Sequence, residues 1–92
     1  MIRSVKHKGL KRLLEDDDPS RLPPEMVDRI RNILTVLTDA TALDDLDLPP
    51  YRLHALKGDL NGFHAMTVRA NWRIIFRFED GEVLDLNFVD YH

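Results

Sequence analysis

Apolar residues recur along the chain at two different spacings, and the spacing changes near residue 50. In the first half, five of them recur every three or four residues, which is typical of one face of a helix: Met26, Ile30, Ile33, Leu34 and Leu37. In the second half apolar and polar residues alternate, which is typical of strands with one buried face. The pattern therefore predicts helices followed by a sheet.

The first half predicts a short strand and two helices. Clustered acids and Pro19 end the first helix, since proline cannot continue a helix. Pro23-Pro24-Glu25 marks the start of the second, because proline is tolerated in the first turn and an acid there complements the helix dipole. The predicted elements are a strand at Ile2–Val5, a helix at His7–Glu15, a helix ending near Ala40 and an acidic loop at Leu43–Pro50.

The second half predicts an antiparallel meander of four strands, with a turn at residues 58–62 and a hairpin at Asp80-Gly81. The predicted strands are Tyr51–Lys57, Phe63–Arg69, Trp72–Phe78 and Val83–Val89. The predicted fold class is α+β, with an N-terminal strand and two helices packed on an antiparallel β-sheet meander. Its 92 residues are enough for one domain, spanning residues 1–92.

Alternation within the last two strands predicts which side chains face the core. On the strand from residue 72 the aromatic face belongs in the core, which leaves Arg73 and Arg77 on a second, cationic face. On the last strand the residues predicted to face the core are Leu84, Leu86 and Phe88. A regular strand would then carry Tyr91 on the opposite face, and convergence of the last three residues requires the strand to end or twist near Asp90.

The charges are segregated along a chain whose net charge is −3. Residues 1–12 carry five cations and no acid, and residues 51–78 carry five cations and one acid. Such segregation can produce a polyanion-binding face on an acidic protein, although scattered solvated charge fits the same counts. There is no cysteine, which excludes disulfides, zinc–thiolate sites and a thiol nucleophile. No membrane span or signal peptide is predicted, so the expected location is cytoplasmic.

Candidate chemistry lies on the predicted strands and at the chain end. Asp90-Tyr91-His92 supplies a carboxylate, a phenol and an imidazole directly after a strand. His54, Lys57 and Arg73 add a second imidazole and two cations on strand-like segments. These are proton-transfer and phosphate-binding groups, and together they indicate a nuclease-type site without a metal cage.

Four blocks of sequence closely resemble the HigB-type toxins of the RelE superfamily, which belong to bacterial toxin–antitoxin systems. The blocks are residues 1–10, 51–59, 67–74 and the terminal Asp90-Tyr91-His92. The resemblance implies a ribosome-dependent endonuclease that cuts mRNA at the A-site codon. It also implies a HigA-type antitoxin, the 70S ribosome and mRNA as partners, with a monomeric toxin that joins larger assemblies through the antitoxin.

Cleavage of this kind uses the ribose 2′-OH as nucleophile and needs no metal ion or cofactor. Two imidazoles suit the proton transfers, since a histidine pKa of about 6.5 supports both protonation states. His54 and His92 are the predicted pair, and the sequence leaves open which is acid and which is base, although the terminal carboxylate favours a protonated His92. Lys57 and Arg73 would hold the scissile phosphate.

The remaining candidates act around that centre. Asp90 would orient an imidazole or cation, and Tyr91 would bind phosphate or stack on a base. Further cations would contact the RNA or ribosomal backbone, which adds salt-sensitive affinity without sequence information: Lys6, Lys8, Lys11, Arg12, Arg69 and Arg77. His7, near a helix start, and His64, which alternates with apolar residues, are predicted to be structural.

Every candidate has a structural alternative. His54 would be an ordinary half-buried strand residue, Lys57 a solvated turn lysine, Arg73 a cross-strand partner of Asp85 or Asp90, and the last three residues a frayed tail.

Three other functions compete with the nuclease. A ParE-like toxin on the same scaffold binds DNA gyrase and cuts no RNA, but it has no chemical use for two imidazoles and two phosphate-binding cations. A non-catalytic nucleic-acid-binding module would use only the cationic sheet face. A metal-dependent nuclease is disfavoured because the acids fall in loops without ligand spacing.

Overall fold

The computed structural model describes residues 1–91. In that range two α-helices precede four β-strands, and short 3₁₀ turns connect several of them. The helices are α1 (Lys8–Asp16) and α2 (Val27–Asp39), and the strands are β1 (His54–Ala55), β2 (His64–Arg69), β3 (Trp72–Glu79) and β4 (Glu82–Asp90). The first predicted helix and three of the four predicted meander strands are therefore confirmed within one residue. The second predicted helix is also confirmed, but at its predicted start, Pro23-Pro24-Glu25, residues Pro24–Met26 form a 3₁₀ turn, and α2 itself begins at Val27. No helix in the described range is long and apolar enough to cross a membrane.

The sheet is an antiparallel meander in the order β1-β2-β3-β4. The predicted N-terminal strand is reduced to two isolated parallel bridges, Ile2 to Val83 and Val5 to Leu86. The Lys6 N–H also donates to the Leu86 carbonyl at 2.7 Å. The N-terminal segment thus covers the outer edge of β4, where unpaired backbone groups would otherwise be exposed. The predicted α+β class is confirmed.

Both helices pack on one face of the sheet and form the main core with it. Residues from every layer of this core are fully buried, including Leu10 of α1, Ile33 of α2, Met66 of β2, Phe76 of β3 and Leu86 of β4. Burying side chains of this size stabilises the fold by about 1.5–3 kcal/mol each. The apolar stripe on α2 and the aromatic face of β3 therefore meet, as their spacings predict.

The predicted strand at Tyr51–Lys57 is wrong in extent, because only His54 and Ala55 pair with β2. Pro49–Tyr51 forms a 3₁₀ turn, and Arg52 then adopts a left-handed conformation with φ 51°. Prolines cannot donate to a sheet ladder, and a left-handed residue breaks the extended path. Strand pairing consequently starts two residues after Arg52.

A β-bulge in β4 overturns the predicted orientation of Leu84. Between the pairs Ile75–Asn87 and Arg77–Leu84, β3 has one residue and β4 has two. Asp85 takes up the extra residue with φ 54°, and its N–H donates to Ser4 Oγ at 2.8 Å. One extra residue reverses the faces on one side of a bulge. Val83 is therefore buried in the main core with Leu86, and Leu84 is only half-buried.

His7 caps the N-terminus of α1, which confirms its predicted structural role. Its Nδ1 accepts the N–H groups of Gly9 at 3.0 Å and Leu10 at 3.2 Å. Nδ1 can accept these bonds only while it carries no proton. Burial lowers the pKa of His7 below its ordinary value, which is consistent with a neutral ring in the folded protein. The packing is tight, since a Cβ on Gly9 would lie 2.9 Å from the His7 ring.

We predict that acidification destabilises the fold through His7. The folded pKa lies below the unfolded value of about 6.5, so the unfolded chain binds more protons as the pH falls through that range. The stabilisation is complete above pH 6.5 and is lost as the pH falls towards the folded pKa. Urea unfolding at pH 7.5 and 5.5 measures the loss. His7→Asn keeps a capping acceptor without titrating and should weaken the pH dependence, whereas His7→Ala should cost about 1 kcal/mol at pH 7.5 and less at pH 5.5, where the wild-type cap is itself weakened. An unchanged pH dependence in His7→Asn would contradict the assignment.

Candidate active site on the open sheet face

The second face of the sheet, which the helices do not cover, carries polar side chains around a small apolar cluster. We call it the open face and define it by cross-strand pairing, because directly paired residues share a face. Its residues are His54 on β1, Ala65 and Thr67 on β2, Arg73, Ile75 and Arg77 on β3, and Leu84, Asn87 and Val89 on β4. The apolar cluster consists of buried Leu56, Ala65 and Ile75, flanked by Leu60, Phe63 and Val89.

His54 is exposed on the open face and is oriented by the backbone before it. Its Nδ1 lies 2.8 Å from the carbonyl oxygen of Arg52. A carbonyl can only accept, so this hydrogen bond requires a proton on Nδ1, and a neutral ring bonded in this way has a free lone pair on Nε2. The left-handed conformation of Arg52 positions this carbonyl. His54 is a strand residue but is exposed rather than half-buried, so a group able to accept a proton faces solvent.

Arg73 lies on the open face two residues before Ile75 on β3 and is held by the β2–β3 turn. Its Nη1 donates to the carbonyls of Ala70 and, at 3.3 Å, of Trp72. Its buried Nε has no hydrogen-bond partner within residues 1–91. The suggested pairing with Asp85 is wrong, because Arg77 takes that partner. In the described part of the chain the Arg73 charge has no carboxylate partner, which leaves it available to an anion.

The two described residues of the terminal motif alternate across the sheet. The Tyr91 N–H donates to the Asn71 carbonyl at 2.8 Å, so pairing continues beyond the end of β4. Alternation from Val89 carries Tyr91 to the open face, where it is 39% exposed. Asp90 pairs with Trp72, whose ring stacks on Phe88 of the main core.

β4 ends at Asp90 as predicted, but backbone pairing continues to Tyr91, so Asp90 and Tyr91 are not brought onto one face. Residues 90 and 91 are also not a frayed tail, since both pair with neighbouring backbone. His92 lies outside the described residues.

Lys57 ends the segment that begins with His54. It is exposed, has an extended backbone and immediately precedes the 3₁₀ turn Gly58–Leu60. Cross-strand pairing does not assign it to the open face, and it forms no ion pair within residues 1–91. Its surroundings fit a solvated turn lysine as well as a phosphate ligand.

The other predicted RNA-binding cations differ in how far their charge is compensated. Arg77 is held by Asp85 at 2.9 Å and Glu79 at 2.6 Å, and Arg12 by Asp18 at 3.4 Å. The Lys6 ammonium lies 5.8 Å from the centre of the Phe63 ring. The remaining three are exposed and form no ion pair in the described range: Lys8, Lys11 and Arg69. Arg77 is therefore the least available for RNA.

His64 packs in the sheet, as predicted. Its ring stacks against Phe76 with the centroids 6.0 Å apart. Burial, with a smaller effect from nearby His54, lowers the pKa of His64 below its ordinary value. His64 pairs with Ala55 rather than with an open-face residue, so it points away from His54.

Within residues 1–91 no group of three or more histidine, aspartate and glutamate side chains is placed to hold a metal ion. The titratable and charged side chains assigned to the open face are instead the His54 imidazole, the Arg73 and Arg77 guanidinium groups and the Tyr91 phenol. Lys57 is exposed at the end of the segment that begins with His54. This set suits proton transfer and anion binding.

Residues 3–92 match the sequence model of a protein family described as the RelE-like toxin of the type II toxin–antitoxin system HigB. The chain belongs to this family. Endoribonuclease HigB of Proteus vulgaris is 49% identical over the full length of both chains. Toxin HigB-1 of Vibrio cholerae is 34% identical over all of this chain and 98% of its own length. The predicted resemblance is confirmed, and membership of a toxin–antitoxin family implies an antitoxin protein as partner.

The fold of this HigB-family chain recurs in a more distant protein. A crystal structure of a mutant of YafQ from E. coli superposes with a TM-score of 0.64, covering 98% of this chain and 91% of YafQ. The two sequences are only 18% identical, so the match shows the shared fold alone.

Sequence reasoning missed two features of the site. The Arg52 carbonyl that orients His54 depends on a left-handed residue, for which the sequence holds no signal. The small apolar cluster had a signal, because Ile75 lies between Arg73 and Arg77 on a face predicted to be cationic. An apolar residue on a polar face indicates a second packing layer.

Proposed function

We propose that this chain is a toxin that acts as a ribosome-dependent mRNA endonuclease and cuts by attack of the ribose 2′-OH on the adjacent phosphate, without a metal ion. Membership of the HigB family supports the toxin role. A relative that is 49% identical over its whole length is an endoribonuclease by name. Endonuclease activity, ribosome dependence and the chemistry are our proposals for this chain.

The single observation that carries the chemistry is the hydrogen bond between His54 Nδ1 and the Arg52 carbonyl at 2.8 Å. It keeps the proton on Nδ1 and leaves Nε2 able to accept one. His54 is therefore the general base that removes the 2′-hydroxyl proton, and His92 is the general acid. The sequence alone left this choice open, and the contact between His54 Nδ1 and the Arg52 carbonyl supports this assignment.

The reaction then balances without any further reactant. His54 Nε2 takes the 2′ proton, the 2′-oxygen bonds to phosphorus, and the bond from phosphorus to the 5′-oxygen breaks. His92 gives its proton to that 5′-oxygen. The products are a 2′,3′-cyclic phosphate and a 5′-hydroxyl end.

Charge develops on the phosphate oxygens during this step and needs stabilisation. Arg73 is the best-supported group, because it lies on the open face and its charge has no carboxylate partner in the described range. Lys57 assists from the end of the His54 segment. Tyr91 holds a phosphate or base on the same face, and Asp90 orients a neighbouring imidazole or cation.

The ribosome supplies the mRNA in an extended form at its A site. We propose that the more distant cations contact nucleic-acid backbone there, where each contact adds salt-dependent affinity. Lys8, Lys11 and Arg69 are better supported in this role than Arg77, because they form no ion pair in the described range, whereas Arg77 pairs with two carboxylates. The toxin would act in the cytoplasm as a monomer, with an antitoxin of the HigA type neutralising it.

Purified protein added to a reconstituted translation system tests the proposal. Primer extension maps new mRNA ends, with His92→Ala and ribosome-free RNA in parallel. We expect cuts within A-site codons that require ribosomes and disappear in the variant. A 2′-deoxy nucleotide immediately 5′ of the cut should block cleavage, because the nucleophile is then missing.

The alternative outcomes separate the parts of the proposal. Intact mRNA with wild-type protein would refute the nuclease and direct the next assay to DNA gyrase. Cutting of free RNA would remove the ribosome from the proposal and keep the chemistry. A 5′-phosphate product, or cleavage despite the 2′-deoxy nucleotide, would contradict attack by the 2′-OH.

A further inference from the structure

Phe63 lies on the open face close to His54, although no predicted role was attached to it. The Leu56 N–H donates to the Phe63 carbonyl at 2.9 Å, so Leu56 and Phe63 are opposite each other. Leu56 and His54 are two residues apart and share a face. Strand spacing then separates the Cα atoms of Phe63 and His54 by about 8 Å. The half-buried Phe63 ring packs against the small apolar cluster.

Lys6 reaches the same ring from the other edge of the sheet. Its backbone is bonded to β4 through the Leu86 carbonyl at 2.7 Å. Its ammonium nevertheless lies 5.8 Å from the Phe63 centroid, although Phe63 adjoins β2, which is two strands away. The Lys6 side chain thus crosses the open face. A separation of 5.8 Å is near the limit of about 6 Å for a cation–π contact, so the tie is weak.

We propose that Phe63 and Lys6 form a nucleotide-binding subsite next to the scissile phosphate, with a base stacked on Phe63 and a phosphate paired with Lys6. This subsite deepens the proposed function and rests on it. Proteins that bind single-stranded nucleic acid combine aromatic rings, on which bases stack, with cations that follow the backbone. The aromatic ring and the ammonium meet here on the face that carries His54 and Arg73.

The chemistry of the subsite predicts affinity without base discrimination. Every base has a π-face, and an ammonium recognises a phosphate whatever base it carries. An arriving phosphate also outcompetes the weak contact between the ammonium and the ring, since it offers a full negative charge. The subsite therefore holds RNA in register for cutting and leaves codon choice to other contacts.

Binding of a short single-stranded RNA, measured by fluorescence anisotropy at low salt, tests the subsite without ribosomes or cleavage. All proteins carry His54→Ala, so that the RNA stays intact. Phe63→Leu should bind about tenfold more weakly, the size of one lost stacking contact, and Phe63→Tyr should bind like the parent. Lys6→Gln should reduce the slope of log affinity against log salt by about 0.7, and Phe63→Leu should leave the slope unchanged.

An abasic scan of the RNA distinguishes stacking from a structural effect. At one position of the RNA, removing the base should weaken binding to the parent protein by about as much as the Phe63→Leu substitution does. The Phe63→Leu protein should bind this abasic RNA and the intact RNA equally well. Urea unfolding midpoints confirm that each variant is folded. Equal affinity of the folded Phe63→Leu variant, additive losses in the scan, or no RNA binding by the parent would each overturn the subsite.

The subsite and the nuclease proposal fail separately. Wild-type protein that cuts no RNA, with binding that still depends on Phe63, would refute the nuclease and keep the subsite. Ribosome-dependent cutting combined with unchanged binding by Phe63→Leu would refute the subsite alone.

Discussion

Replacing His54 by alanine is expected to slow ribosome-dependent mRNA cleavage by roughly 10²- to 10⁴-fold, the usual contribution of a positioned general base. In the proposed mechanism Nε2 of His54 accepts the 2′ proton, and the bond from Nδ1 to the Arg52 carbonyl favours the tautomer that this step requires. Single-turnover cleavage on ribosomes programmed with a defined mRNA measures the effect. The exposed position of His54 predicts that the variant keeps its unfolding midpoint.

His64 provides the matched control for this experiment. It is an imidazole on the neighbouring strand, but it stacks on Phe76 and points away from the open face. His64→Gln should therefore cleave within a few-fold of wild type. Equal losses in the two variants would contradict a role specific to His54, and full activity of His54→Ala would remove it from the mechanism.

Replacing Arg73 by glutamine has the second-largest expected effect, a loss of roughly 10²- to 10³-fold in the cleavage rate. Arg73 brings to the open face a charge without a carboxylate partner in the described range, where it can stabilise the developing negative charge. Arg73→Lys should recover part of the loss, because lysine keeps the charge but not the planar fork. Saturating single-turnover rates separate this loss from weaker binding.

Arg77 provides the control that separates the effect of an unpaired positive charge from the effect of position on the open face. It lies on the same strand and face, but Asp85 and Glu79 already pair with it. Arg77→Gln should change cleavage by only a few-fold, since exposed ion pairs contribute little and the net charge near the phosphate is small. A loss equal to that of Arg73→Gln would mean that the two cations act together. The unfolding midpoint of Arg73→Gln shows whether losing the hydrogen bonds from Arg73 to the Ala70 and Trp72 carbonyls destabilises the fold.

Regular elements with strong periodicity were predictable from the sequence. The α2 stripe, the aromatic face of β3 and the hairpin at Asp80-Gly81 all depend on residues close together in the chain. Asp80 and Gly81 both have positive φ, at 52° and 78°, which is the backbone of the tight hairpin that this dipeptide favours. Local chemistry was sufficient in these places because the tertiary structure agrees with it.

The candidate site was predictable as a set of residue types but not as an arrangement. His54 and Arg73 were identified in the sequence, and cross-strand pairing brings them to one face, to which alternation from Val89 adds Tyr91. Asp90 shows the limit, since its pairing with Trp72 at the end of β4 assigns it to the other side of the sheet. Register between strands depends on contacts that no local pattern encodes.

The sequence by itself determined the helix periods, the meander with its turns and the blocks that identify the family, because each depends on neighbouring residues. Only the tertiary structure decided the two-residue length of β1, the bulge at Asp85, the tautomer of His54 and the meeting of Lys6 with Phe63. Ser4 and Asp85, which bond at the bulge, are 81 positions apart. Contacts over such distances form only when the whole chain packs, since closing the intervening loop requires the rest of the fold.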